Sequence, residues 1–144
     1  MAVDMFIKIG TIKGESADAK HKEEIDVLAW SWGESNSGSF SSGGGGGTGK
    51  VNMQDFSFTH YTDSASPLLM KFCATGEHVD EVVFTARKAG KEQQEYYVIK
   101  LGDVLISSVS TGGSGGEDRF TENVTLNFAR INIHYKPQKK EGSL

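Results

Sequence analysis

Along most of the chain, apolar and polar residues alternate with a period of two. In VDMFIKIGTI the alternation places Val3, Met5, Ile7 and Ile9 on one face, as a half-buried strand requires. EIDVLAWSWG sets Ile25, Val27, Ala29 and Ser31 against Asp26, Leu28, Trp30 and Trp32. VNMQDFSFTHY is strand-like with a change of phase between Met53 and Phe56. Residues 80–110 read as three strands, with AGKE as a hairpin turn and Gly102-Asp103 as a kink or bulge. In ENVTLNFARINIHYK the inward set runs Val124, Leu126, Phe128 and then Ile131, Ile133, Tyr135. A one-residue slip inside a continuous strand predicts a β-bulge, of the kind that bends strands at barrel corners.

One segment departs from this period. SASPLLMKFCATG offers Ser66 as an N-cap, Pro67 at the first helical position and Gly76 at a left-handed C-cap. Between them Leu68, Leu69, Phe72 and Cys73 form an apolar stripe at helical spacing, so a helix over about 66–75 is predicted. Eight or so strands and one short helix place the chain in the mainly β class, as a sandwich or closed barrel.

The length of 144 residues is that of one domain with a real core. Fifteen Lys and Arg against nineteen Asp and Glu give a net charge of −4. That balance argues against sequence-independent nucleic-acid binding, which needs a basic surface to release counterions, and against binding to an anionic membrane. The first thirty residues hold no apolar run long enough for a signal peptide or a membrane span, so export is expected only through a machine that reads the folded protein. The single Cys73 leaves stability to packing.

Glycine is clustered in residues 33–49 and in STGGSGG at 110–116, both between strands and therefore loops. Gly44 to Lys50 matches most of a phosphate-binding loop, but Val51 stands where the magnesium-binding hydroxyl belongs, and a strand pattern follows in place of a helix. Gly112 to Gly116 satisfies G-x-S-x-G, yet it too leads into a strand, whereas a nucleophile elbow joins strand to helix. His21, His60, His78 and His134 have no metal-ligand spacing, and GESADAKHKEE reads as a solvated loop of mixed charge. Nothing assembles acid, base and nucleophile. The expectation is no enzyme, no cofactor and no metal.

Four stretches carry a family resemblance: KGES at 13–16, EEIDVLAWSWG at 23–33, GKVNMQDFSFTHYTDSASP at 49–67 and SSVSTGGSGGEDRFTENVTLNFARINIHYKPQ at 107–138. Together they resemble the Hcp family of bacterial type VI secretion, co-linearly from Met1 to about Gln138. The resemblance implies a two-sheet β-barrel with one short helix over residues 1–138, and residues 139–144 as a flexible tail. It implies six copies in a ring, rings stacked into a tube inside a contractile sheath, a VgrG spike at the tip, and effector proteins held in the channel. It also implies a cytoplasmic origin followed by secretion. The glycine loop, 33–50, resembles the family's extended loop that reaches toward the neighbouring ring. Many members continue past YKPQ into a further aromatic strand where this chain reads KKEGSL; without that strand, one sheet edge is expected to be exposed.

Within this frame, Ala29 and Ser31 are the candidate channel-lining residues, because they oppose the bulky Leu28, Trp30 and Trp32 on one strand. Candidate ring-stacking residues are Gly43, Gly44, Gly45, Gly46 and Gly47 in the glycine loop, and Lys88, Gly90 and Lys91 in the charged turn RKAGKEQQ. The alternative is a monomeric β-barrel binding module that uses Trp30 and Trp32 as a stacking surface.

Overall fold

The computed structural model describes residues 2–38, 50–89 and 94–137. Gly43 to Gly47, Gly90, Lys91 and the tail 139–144 lie outside them. The described elements run β1 (Val3–Ile9), β2 (Ile25–Asp26), β3 (Ala29–Ser31), β4 (Glu34–Asn36), β5 (Val51–Met53), β6 (Phe56–Tyr61), α1 (Ser66–Thr75), β7 (His78–Lys88), β8 (Glu95–Gly112) and β9 (Thr121–Tyr135). Seven strands form one antiparallel sheet in the order β2-β1-β7-β8-β9-β6-β3, and β4 pairs with β5 in a separate ribbon.

The sheet curls until one run of chain touches both of its ends. Ile25 and Asp26 pair with β1, and the Val27 amide donates to Met5 O. The Leu28 amide then donates to Thr59 O, and Ala29 to Ser31 pair with β6. Curling of this kind covers most of the sheet's edges, which are otherwise a liability. The interior is filled by Ile7, Ile9, Phe56, Phe84, Ile99 and Leu126, with Leu69 of α1 packed against it.

Residues 80–110 form two strands where the pattern predicted three. β8 runs unbroken for 18 residues through Gly102-Asp103. Asp103 adopts φ 52, and there the inward side changes from Ile99 and Leu101 to Val104 and Ile106. β9 switches sides opposite the same point without changing register, from Ile131 paired with Leu101 to Phe128 paired with Val104. The bulge expected inside β9 therefore belongs to β8, where the register slips between Ile106 and Ser108.

The helix has a different N-cap from the one expected. Ala65, in right-handed helical conformation, occupies the N-cap, and Ser66 is already in the first turn. The Ser66 hydroxyl accepts from the Asp63 amide at 3.0 Å and donates to Glu122 Oε1 at 2.7 Å. Thr62 Oγ1 donates to Glu122 Oε2 at 3.2 Å. His60 Nε2 lies 3.1 Å from Glu122 Oε1, a close approach outside hydrogen-bond geometry. His60 and Glu122 are cross-strand partners inside the barrel, so the end beneath α1 is closed by a polar cluster. Gly76 takes the left-handed C-cap, φ 72, as expected. Of the predicted stripe, Leu69 is buried and Phe72 and Cys73 half-buried, but Leu68 is 41% exposed.

Residues 13–24 are a strap, not a solvated loop. They cover the outer face of β1, where Phe6 is buried on the side opposite Ile7 and Ile9. His21 stacks on Phe6 with ring centroids 4.4 Å apart, and the Arg87 guanidinium lies 4.9 Å from the same ring. Arg87 makes a two-pronged bond to Asp18, whose carboxyl this cation lowers to about 2. Beside it, burial raises the Asp26 carboxyl above the usual carboxylate range, against a lowering hydrogen bond from Ser16.

Candidate functional site

The β3 segment alternates as the sequence suggested. Ala29 and Ser31 are exposed, while Trp30 between them is half-buried against the core. Strand register extends this alternation across four strands. Ala29 lies opposite Thr59, Thr59 opposite Asn123, and Asn123 opposite Ser110. The second row runs Ser31, Ser57, Thr125 and Ser108. Between them the row Trp30, Phe58, Val124 and Val109 turns to the core side. Successive residues of a strand point to opposite faces, so paired strands sort whole rows by side. The result is one wall with an apolar inner face and an outer face of Ala, Ser, Thr and Asn.

The outer face is held by its own hydrogen bonds. Thr59 Oγ1 donates to Asn123 Oδ1 at 2.6 Å. Thr125 Oγ1 lies 2.7 Å from Ser107 Oγ and 2.6 Å from Ser108 Oγ. Asp55 borders the rows and accepts from Ser107 at 2.6 Å and from Asn127 at 2.9 Å. The two rows themselves carry no charged side chain. A surface of this kind stays wet, offers many exchangeable hydrogen bonds and exerts little field on a passing molecule of either sign.

Of the sequence candidates, Ala29 and Ser31 belong to this face. Lys88 sits at the end of β7, its amide donating to Gln94 O at 3.2 Å, beside the start of β8 and far along that strand from Ser108 and Ser110. Gly43 to Gly47, Gly90 and Lys91 fall outside the described residues. Sequence reading missed Ser57, Thr59, Asn123, Thr125, Ser108 and Ser110. The signal was the small polar residue at every second position of FSFTHY and ENVTL, and only the register joins these positions into rows. The tryptophans are not a stacking platform. Trp30 packs on Phe56, Phe84 and Tyr97, and Trp32 packs on Phe128 with its N–H spent on Gln54 O at 2.8 Å.

Beside this face is an edge. β6 pairs with β9 only from Thr121 to Leu126, and among the described residues no strand pairs with the far side of β9 from Asn127 to Tyr135. Ile133 and Tyr135 share the core side with Ile99 and Leu101, yet they are 44% and 58% exposed. Val51 and Met53 on β5 add a second exposed apolar pair.

A family model described as "Type VI secretion system effector, Hcp" matches residues 6–135. The chain is 67% identical to Protein hcp1 of Pseudomonas aeruginosa over 99% of this chain and 89% of that protein. A solved type VI secretion effector from Yersinia pestis is 42% identical, with a TM-score of 0.80 over 95% of this chain and 93% of the other. A solved structure of a type six secretion system protein superposes with a TM-score of 0.91 at 30% identity, over 99% of this chain and 89% of the other. The mainly β barrel with its short helix is the fold of the solved relatives, and the chain belongs to the Hcp family, the tube subunits of type VI secretion.

Proposed function

We propose that six copies of this chain close into a ring whose channel is walled by the neutral face, and that the rings stack into the secretion tube. The observation that carries this reading is the pair of rows from Ala29 to Ser110 and from Ser31 to Ser108, small and uncharged on a wall whose reverse is core. A channel that holds folded effector proteins needs such a lining, since bulky or charged side chains would narrow it and select cargo by sign. The free edge of β9 with exposed Ile133 and Tyr135 supports ring closure, because an unpaired apolar edge is relieved by a neighbour. One edge meeting a different surface on the next copy is a head-to-tail contact, which closes when the rotation allows.

In this form Ala29 and Ser31 line the channel with Ser57, Thr59, Asn123 and Thr125. The glycine loop at Gly43 to Gly47 and the turn bearing Lys88, Gly90 and Lys91 contact the adjacent ring. The sheath surrounds the tube, a VgrG spike caps it, and the rings load in the cytoplasm before export. The chain acts by assembly and carriage, with no catalytic step. Native mass spectrometry tests the ring: a particle of six subunits is expected, and a persistent 15.6 kDa monomer overturns it. Ser31→Trp is expected to lower retention of effector cargo while the ring persists; unchanged retention removes Ser31 from the channel. Deleting residues 42–48 is expected to shorten tubes and spare rings.

A further inference from the structure

We propose that the strap at residues 13–24 is a brace that holds the base of the β7–β8 hairpin in its stacking geometry, with Asp18 and His21 as positioning residues. Arg87 and Glu95 are direct cross-strand partners at the end of that hairpin and carry opposite charges. Each is gripped from the strap. Asp18 takes Arg87, with a 2.9 Å bond from Nη1 to Oδ2 and a second from Nη2 to Oδ1. His21 Nε2 lies 2.7 Å from Glu95 Oε2, and its Nδ1 lies 3.0 Å from both Glu24 oxygens. The strap thus holds Arg87 near the end of β7 and Glu95 at the start of β8.

The brace is itself rigidly built. Asp18 Oδ2 also accepts from the Lys20 and His21 amides, at 3.0 and 3.2 Å. The Gly14 amide donates to Glu23 O at 2.7 Å, and the Ser16 amide donates to Glu24 O at 2.9 Å. At its other side the strap is fastened to the segment before α1, where the Ser64 amide donates to Glu15 Oε2 at 2.6 Å. Arg87 is 1% exposed, so its charge is satisfied in place by Asp18 and, at 3.5 Å, by Asp4. With its carboxyl held at about 2, Asp18 stays ionised at neutral and mildly acidic pH, and this grip is permanent there. A turn that contacts another ring gains from being held in the bound geometry beforehand, because less ordering remains to be done on contact.

This inference rests on the reading of the β7–β8 turn as a ring-stacking contact, and the test separates the two. Asp18→Asn and Glu95→Gln, made in the full chain and isolated as rings, are compared with the unaltered protein. Amide exchange is followed at residues 84–88 and 95–98, and tube length by electron microscopy. The expected result is exchange faster by about tenfold at the hairpin base, intact rings and shorter tubes. Unchanged exchange overturns the brace. Faster exchange with tubes of full length overturns its role in stacking. Glu95→Gln is the milder change at a partly exposed residue, so it keeps the test decisive where Asp18→Asn prevents folding. Lys88→Glu with Lys91→Glu probes the turn itself: full-length tubes from that variant overturn the stacking reading and this inference with it.

Discussion

Replacing Glu122 with leucine removes the acceptor on which the closed end of the barrel depends. Its carboxylate receives Ser66 Oγ at 2.7 Å and Thr62 Oγ1 at 3.2 Å, and faces His60 Nε2 at 3.1 Å. Glu122 and His60 are 1% and 0% exposed, so water does not replace what is lost. Each hydrogen bond to a charged group contributes about 1.5–3 kcal/mol. Ser66, Thr62 and the His60 imidazole are left facing an apolar side chain, and an unsatisfied buried polar group costs about 1–3 kcal/mol. These overlap and do not add, so a loss of about 3–5 kcal/mol is expected for Glu122→Leu. In a domain of this size that lowers Tm by roughly 10–20 °C. Urea unfolding at pH 7, at fixed protein concentration, reads the loss directly. The double variant Glu122→Leu with His60→Leu leaves no imidazole buried without an acceptor, and it is expected to be more stable than the single variant by about 1–3 kcal/mol. A single-variant loss below about 1 kcal/mol, or a double variant less stable than the single one, refutes the role given to this cluster.

Two further predictions follow from the carboxylates on the outer face. The folded protein holds Asp18 at about 2, below its ordinary 3.8, so between these values the unfolded chain binds more protons and stability rises with pH. The Asp18 contribution is therefore complete above about pH 4 and lost as pH falls toward 2; acid unfolding of Asp18→Asn, compared with the unaltered chain, is expected to show a shallower slope in that window. Asp26 has the opposite sign: partial desolvation raises its carboxyl in the fold, so stability falls as pH rises from 3.8 and the loss is complete above the raised value. Asp26→Asn keeps an acceptor for Ser16 and is expected to raise Tm at pH 7, a gain that fades as pH falls from the raised value toward the ordinary 3.8 and is absent below it; a lower Tm at pH 7 contradicts the assignment.

What the alternation of residues could reveal was the side of the wall. Trp30 and Ser31 had to face opposite ways, and they do, because a strand permits nothing else. It could not reveal which strands would neighbour β3, so Ser57, Asn123 and Ser110 stayed separate until the register aligned them. His60 and Glu122 were visible in principle, since they occupy inward positions in line with Phe56 and Phe58 and with Val124 and Leu126. The strap was hidden by its composition. A run of mixed charges normally belongs to solvent, and only the buried Arg87 and Phe6 across the fold give Asp18 and His21 their partners. The Asp103 kink was half legible, as Gly102 marked the place, but the left-handed residue is the aspartate. The N-cap fell on Ala65 because Ser66 spends its hydroxyl on Glu122 across the fold, outweighing a local cap.

The central claim concerns which face of the wall looks inward in the assembly. An electron cryo-microscopy reconstruction of the purified chain tests it most directly. The predicted result is a closed six-fold ring in which Ser31, Ser57 and Thr125 border the lumen and the β9 edge meets the next copy. Isolated barrels, or a ring with that neutral face on its outer surface, would contradict it.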